Sequence, residues 1–163
     1  LNKINKDNYM AKPITKEGYD NVKIKISELK TEFESLPEII AEAREKGDLK
    51  ENAEYHAARE RQGLLQAQIS KLESDLASCE IIDPSKLDKD TVTFGKRVKV
   101  KDKNTDAILE YKIVGEMEAD ISKNQITIIT PIAKGLLTKK VGDTVKIKVP
   151  AGDKVLEILE IGL

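Results

Sequence analysis

Two carboxylates, Asp48 and Glu51, stand three residues apart in "GDLKEN", Gly47 to Asn52. That spacing can put two side chains on one side of a turn, within about 5–6 Å of each other. Such a pair attracts a hard divalent cation. Mg2+, however, wants six oxygens and usually takes the remainder from water and substrate phosphates. Two acids are therefore part of a magnesium site, completed only inside a partner that brings the other ligands. The same residues also have a plainer account. Asp48-Leu49-Lys50-Glu51 has capping-box form, with Asp48 accepting from first-turn amides and Glu51 reaching back. Gly47 sits where a helix C-terminus wants left-handed backbone. Spacing leaves both accounts standing.

The elements that must carry these acids are legible on either side. Thr15, Tyr19, Val22, Ile26, Leu29, Phe33, Leu36, Ile40 and Ala43 are spaced alternately by four and three. The same rule returns at Tyr55, Ala58, Gln62, Leu65, Ile69, Leu72, Leu76 and Cys79, with charged and polar residues between. A sustained 3.5-residue period is a coiled-coil seam. The break at Gly47-Asp48 allows only a reversal, so the two seams face each other in an antiparallel hairpin. Each arm is roughly 40 Å long at about 1.5 Å per residue, and "GDLKEN" is its tip. Pro37 removes a donor from the first arm; the seam on both sides predicts that the helix continues, with a kink around Phe33 to Pro37.

Past Cys79 the period changes. "RVKVK", "EYKIV", "QITII", "TVKIKVP" and "KVLEILEI" are short, β-branched and mostly alternating, with Gly, Asn, Asp and Pro between them. They predict a twisted antiparallel sheet of five strands. Thr130-Pro131 before "IAKGLL" predicts an N-cap with Pro in the first turn of one short helix. The fold class is α+β. Residues 1–9 read as an extension without fold of its own ahead of a start at Met10, 10–80 as the hairpin with its acidic tip at 47–52, and 81–163 as the sheet domain.

Composition narrows the function. Charged residues make up 35% of the chain yet nearly cancel, to a net charge of −1. This excludes a general nucleic-acid binder held by a basic field; contact with nucleic acid is local or made through a protein partner. One cysteine, Cys79, excludes a disulfide framework and suits a reducing cytoplasm. No apolar run reaches the roughly 20 residues of a membrane span.

"EIIAEAREKGDLKENAEYHAARE", Glu38 to Glu60, resembles the N-terminal signature of the bacterial Gre-type transcript cleavage factors, and "GEMEADISKNQITIITPIAKGLLTKKVGDTVKIKVPAG" resembles their C-terminal signature. The resemblance runs from about Met10 to Leu163. It implies an FKBP-like sheet domain that docks on the rim of RNA polymerase's secondary channel, with the coiled coil inserted down it. It implies a cofactor, not a stand-alone enzyme: a monomer whose tip acids, Asp48 and Glu51, help hold a second Mg2+ jointly with the polymerase. They orient the water that cleaves the 3′ end of backtracked nascent RNA. Two-metal hydrolysis fits that ligand count.

The remaining candidates sort beside this frame. Arg44, Lys50, Arg59 and Arg61 suit phosphate positioning, or equally a solvated face paired with Glu45, Glu54 and Glu60. The family's basic patch selects Arg44 and Arg59 as RNA contacts. Tyr55 closes the apex on the seam, and the family motif puts it near RNA. His56 has no second His or Cys nearby and reads as a flank residue; Cys79 reads as a small seam residue. By match to the C-terminal motif, Thr130, Pro131 and Ile132 form the polymerase-docking edge, and helix capping is the plain account of the same three. Prolyl isomerase activity is rejected: from Glu80 onward there is one Phe and one Tyr, too few for an apolar pocket. The first arm is about one residue shorter than the usual Gre pattern, a rotation of about 100°. Ile40 and Ala43 nevertheless remain in phase with Leu36. A misaimed tip would instead make a channel-binding regulator that inhibits polymerase without promoting cleavage.

Overall fold

The 3.5-residue alternation produces two long helices, α1 (Lys16–Glu45) and α2 (Ala53–Ala77). The structure is a computed structural model that describes residues 11–48 and 51–163. The expectation for residues 1–9 lies outside the described residues. Val22, Ile26, Leu29, Leu36, Ile40 and Ala43 on α1 are buried, as are Ala58, Leu65, Ile69 and Leu76 on α2. Leu29, Leu36 and Ile40 join Ala58, Leu65 and Ile69 in one cluster, with Phe33, Tyr55 and Leu72 at its margin. Lys30 pairs with Glu73 at 2.5 Å and Lys46 with Glu54 at 3.1 Å. Numbers rise on one helix as they fall on the other, so the hairpin is antiparallel. Leu65, fully buried at the seam, alone contributes about 1.5–3 kcal/mol. α1 runs on through Pro37. Pro37 is exposed, so water can reach the carbonyl four residues back that has lost its donor.

Tyr19–Ser78 forms one unit; Leu1–Gly18, in its described part, forms the other together with Cys79–Leu163. The cause is a short parallel pair, β1 (Lys12–Ile14) with β2 (Cys79–Ile81), which joins the chain ahead of α1 to the chain after α2. Both ends of the predicted seam are corrected by it. Cys79 lies in β2, with its Sγ 3.8 Å from Met117 Sδ. Thr15 precedes α1, and its hydroxyl accepts from Gly18 N at 3.0 Å, the geometry of a cap. Thr15 is itself held by Glu118, whose Oε2 accepts from Thr15 N at 3.0 Å and from Gly115 N at 2.9 Å, while Oε1 takes the Thr15 hydroxyl.

The second unit is built on β3 (Arg97–Asp102), β4 (Ile108–Val114), β5 (Gln125–Thr127), β6 (Thr144–Val149) and β7 (Gly152–Gly162), in sheet order β5-β4-β3-β7-β6. The predicted all-antiparallel sheet is corrected to a mixed one, because β5 runs parallel to β4. Between them the chain makes a single helical turn at Ile121–Lys123 and reverses at Asn124, whose φ of 54° is left-handed, a conformation Asn tolerates. A short helix, α3 (Pro131–Leu136), starts as predicted: Thr130 Oγ1 accepts from Ala133 N at 3.3 Å, with Pro131 in the first turn. Its Ala133 and Leu136 enter a core with Val98, Val100, Ile113, Leu156 and Ile158.

Two tight turns give this unit an acid dependence. Asp83 is held below the usual carboxylate range by the Ser85 hydroxyl and amide, and Asp120 by those of Ser122. A lowered folded pKa means that the unfolded chain binds the proton more readily. The stabilisation is complete above the unfolded Asp value of about 3.9 and is lost as pH falls through the lower folded values. A Ser85→Ala, Ser122→Ala variant is therefore expected to lose less stability than the parent on acidification. Urea midpoints followed into that range check this, and parallel curves refute it.

Candidate site at the hairpin tip

α1 ends at Glu45, and Lys46 N bonds back to the Ala43 carbonyl at 3.2 Å. Gly47 follows with φ of 153°. This is a positive-φ backbone that favours glycine, but it lies well beyond the left-handed helical value the sequence predicts. An added Cβ there would meet nothing within 4 Å, so conformation, not space, is the constraint.

The capping-box account of the acids is corrected. α2 begins at Ala53, and its N-cap is Asn52, whose Oδ1 accepts from Tyr55 N at 3.1 Å. Asp48 lies four positions ahead of that cap, outside the first turn it was expected to close. Glu51 is likewise outside the helix; its amide bonds to the Asp48 carbonyl at 3.3 Å. Asp48 and Glu51 are both exposed. They stand on a turn between two helix ends, beside an open depression of about 360 Å³ that runs from Lys46 to Glu54. The Lys46–Glu54 ion pair crosses the neck below.

The donor set suits magnesium in kind and falls short in number. Both carboxylates offer hard oxygens, but among the described residues no three His, Cys, Asp or Glu side chains gather into a cation site. Asp48 and Glu51 would hold such an ion only jointly with groups from outside the chain.

The basic candidates separate. Arg44 is exposed, with its guanidinium carbon 5.6 Å from the centre of the Tyr55 ring. Arg59 is exposed near the start of α2 and donates to Gln62 Oε1 at 3.1 Å. Arg61 instead forks onto Glu32 across the hairpin at 2.7 and 2.8 Å. That hydrogen-bonded pair holds Glu32 below the usual carboxylate range and raises Arg61. Arg61 thus braces the coil. Lys50 lies outside the described residues. Tyr55 is half-buried at the apex, with exposed His56 edge-on to it, ring centres 5.4 Å apart.

The proposed docking residues lie in the sheet unit. Pro131 is exposed, Thr130 is half-buried and bonded into its own turn, and Ile132 packs against the core. Ile129, which the sequence reading passed over, is 63% exposed beside them. The sequence carries no signal of this, because Ile129 falls inside the alternating run "QITII", whereas β5 ends at Thr127.

Two family models match the chain: one described as "Transcription elongation factor, N-terminal" over residues 12–81, and one as "Transcription elongation factor, GreA/GreB, C-term" over residues 87–162. The transcription elongation factor GreA of Acidiphilium cryptum is 45% identical over 150 residues, covering 91% of this chain and 96% of its own. That of Rickettsia canadensis is 45% identical over 91% of this chain and 93% of its own. Among solved structures, GreA factor homolog 1 of Thermus thermophilus aligns at 22% identity with a TM-score of 0.42, covering 94% of this chain and 99% of that one.

Proposed function

The chain belongs to the GreA/GreB family of transcription elongation factors, and from that premise we propose that it binds bacterial RNA polymerase in the cytoplasm and stimulates cleavage of backtracked RNA. The sheet unit docks at the rim of the secondary channel through the surface around Thr130, Pro131 and Ile132. The hairpin enters the channel and brings Asp48 and Glu51 to the extruded 3′ end. Their carboxylates supply oxygens to a Mg2+ shared with the polymerase and accept hydrogen bonds from the attacking water, which orients it toward the phosphate. The ion, when bound, supplies Lewis-acid polarisation and a more acidic water. Arg44 and Arg59 steady the RNA by its phosphates, contacts that position without reading sequence.

One observation carries this reading: Asn52, not Asp48, caps α2. Both acids then stand ahead of that cap and are exposed at the end of the arm. The direct test adds the protein and Mg2+ to a stalled, backtracked elongation complex. Shortened RNA is expected with both present, and none when the protein meets free RNA without polymerase. Unshortened RNA in the complete mixture refutes the proposal.

Arg59→Gln is expected to weaken crosslinking of the tip to the RNA 3′ end and to slow cleavage. Arg61→Gln, which removes a coil brace, lowers the melting temperature of the hairpin and leaves crosslinking intact. The reverse pattern would mean that Arg61 leaves Glu32 to contact RNA.

A further inference from the structure

Asn52 is the one described residue between Arg44 and Glu54 that is half-buried, the others being exposed. Its carboxamide works in two directions. Oδ1 accepts from Tyr55 N in the first turn of α2, and Nδ2 donates to the Ala43 carbonyl in the last turn of α1. The Asn52 carbonyl also accepts from His56 N at 3.1 Å. One side chain therefore ties the closing turn of one helix to the opening turn of the other. Ser and Asp cap helices about as well as Asn, so capping alone does not call for an amide. The donor arm toward Ala43 is what only the carboxamide supplies.

We infer that Asn52 is the positioning residue of the acidic tip, a strut that fixes where Asp48 and Glu51 stand relative to both helix ends. The inference rests on the function proposed above. Glu51 is the residue next to Asn52, and its amide is bonded to the Asp48 carbonyl. The strut thus reaches Glu51 through one peptide link and Asp48 through the Glu51 amide. Asn52 touches no reacting group; it acts through Glu51 and Asp48.

Asn52→Ser tests this, because serine keeps a cap acceptor and is too short to span to Ala43. The expected result has three parts. Melting temperature and polymerase affinity stay at parent values; the Glu51 amide of the free protein exchanges its hydrogen faster; and the maximal cleavage rate at saturating factor falls about 10- to 100-fold, the scale of a misplacement near 1 Å. A parent-like maximal rate, or parent-like exchange, overturns the inference. The parent protein and Asp48→Asn are run beside it: unshortened RNA with the parent means the proposed function has failed, independently of Asn52, and parent-like cleavage by Asp48→Asn removes Asp48 from the groups that Asn52 would position. Should Asn52→Ser lower the melting temperature, Asn52→Asp carries the same comparison, since it keeps the acceptor and gains from the helix dipole.

Discussion

Asp48→Asn and Glu51→Gln are each expected to slow stimulated RNA cleavage by about 100-fold or more, the scale on which a group placed against transition-state charge registers. Each substitution is isosteric and removes only the negative charge. Asn52 is the N-cap of α2, and both acids lie ahead of it. Both are exposed, so folding has little to lose and the melting temperature should hold. Polymerase affinity should hold as well, because the proposed docking surface around Pro131 is in the other unit. A metal role adds a further signature: each single variant recovers part of its rate as Mg2+ is raised, whereas the double variant does not. Parent-like cleavage by both single variants refutes the assignment. A loss of rate that tracks a loss of affinity would move the acids from chemistry to docking.

The hairpin was legible because a seam is a long pattern. Its inward positions from Tyr19 to Ala43 and from Tyr55 to Leu76 are buried or half-buried, and no local detail can undo so many agreeing residues. Its ends were not legible. Thr15 and Cys79 keep the spacing but belong to a cap and a strand, because the β1–β2 pairing joins residues far apart in sequence through strands too short to show a period. The cap failed differently. Asp48 and Glu51 satisfy the capping-box spacing, but Asn52 Oδ1 takes the Tyr55 amide, and that contact shows that the helix starts later. Alternation likewise reports which face of a strand is buried and says nothing of direction, so the parallel β5 was read as antiparallel. Residue type and ligand count single out the pair of acids, and the family resemblance names the partner proposed for them.

Glu118→Ala is expected to destabilise the sheet unit by about 3 kcal/mol, because it strips acceptors from two amides at once. The segment "GEMEAD", Gly115 to Asp120, is part of the C-terminal signature but has no place in the proposed chemistry; its geometry explains it. Thr15 is 6% exposed and Gly115 is buried, and the amides of both point at Glu118 Oε2. Each would be left without its acceptor, at about 1–3 kcal/mol apiece. Two glycines make room for this carboxylate: a Cβ on Gly18 would collide with the Glu118 side chain, and one on Gly115 with the Pro13 carbonyl. Gly18→Ala can be relieved by turning Glu118 out, with the hydrogen bonds lost. Gly115→Ala meets backbone and must displace β1 itself. Glu118→Gln should cost much less than Glu118→Ala, since its amide oxygen can still accept from both backbone N–H groups. Calorimetry would place these losses in the transition of the sheet unit and leave that of the hairpin where it was. Melting of the Ala variant at the parent temperature would show that packing alone holds these residues and that the carboxylate is incidental.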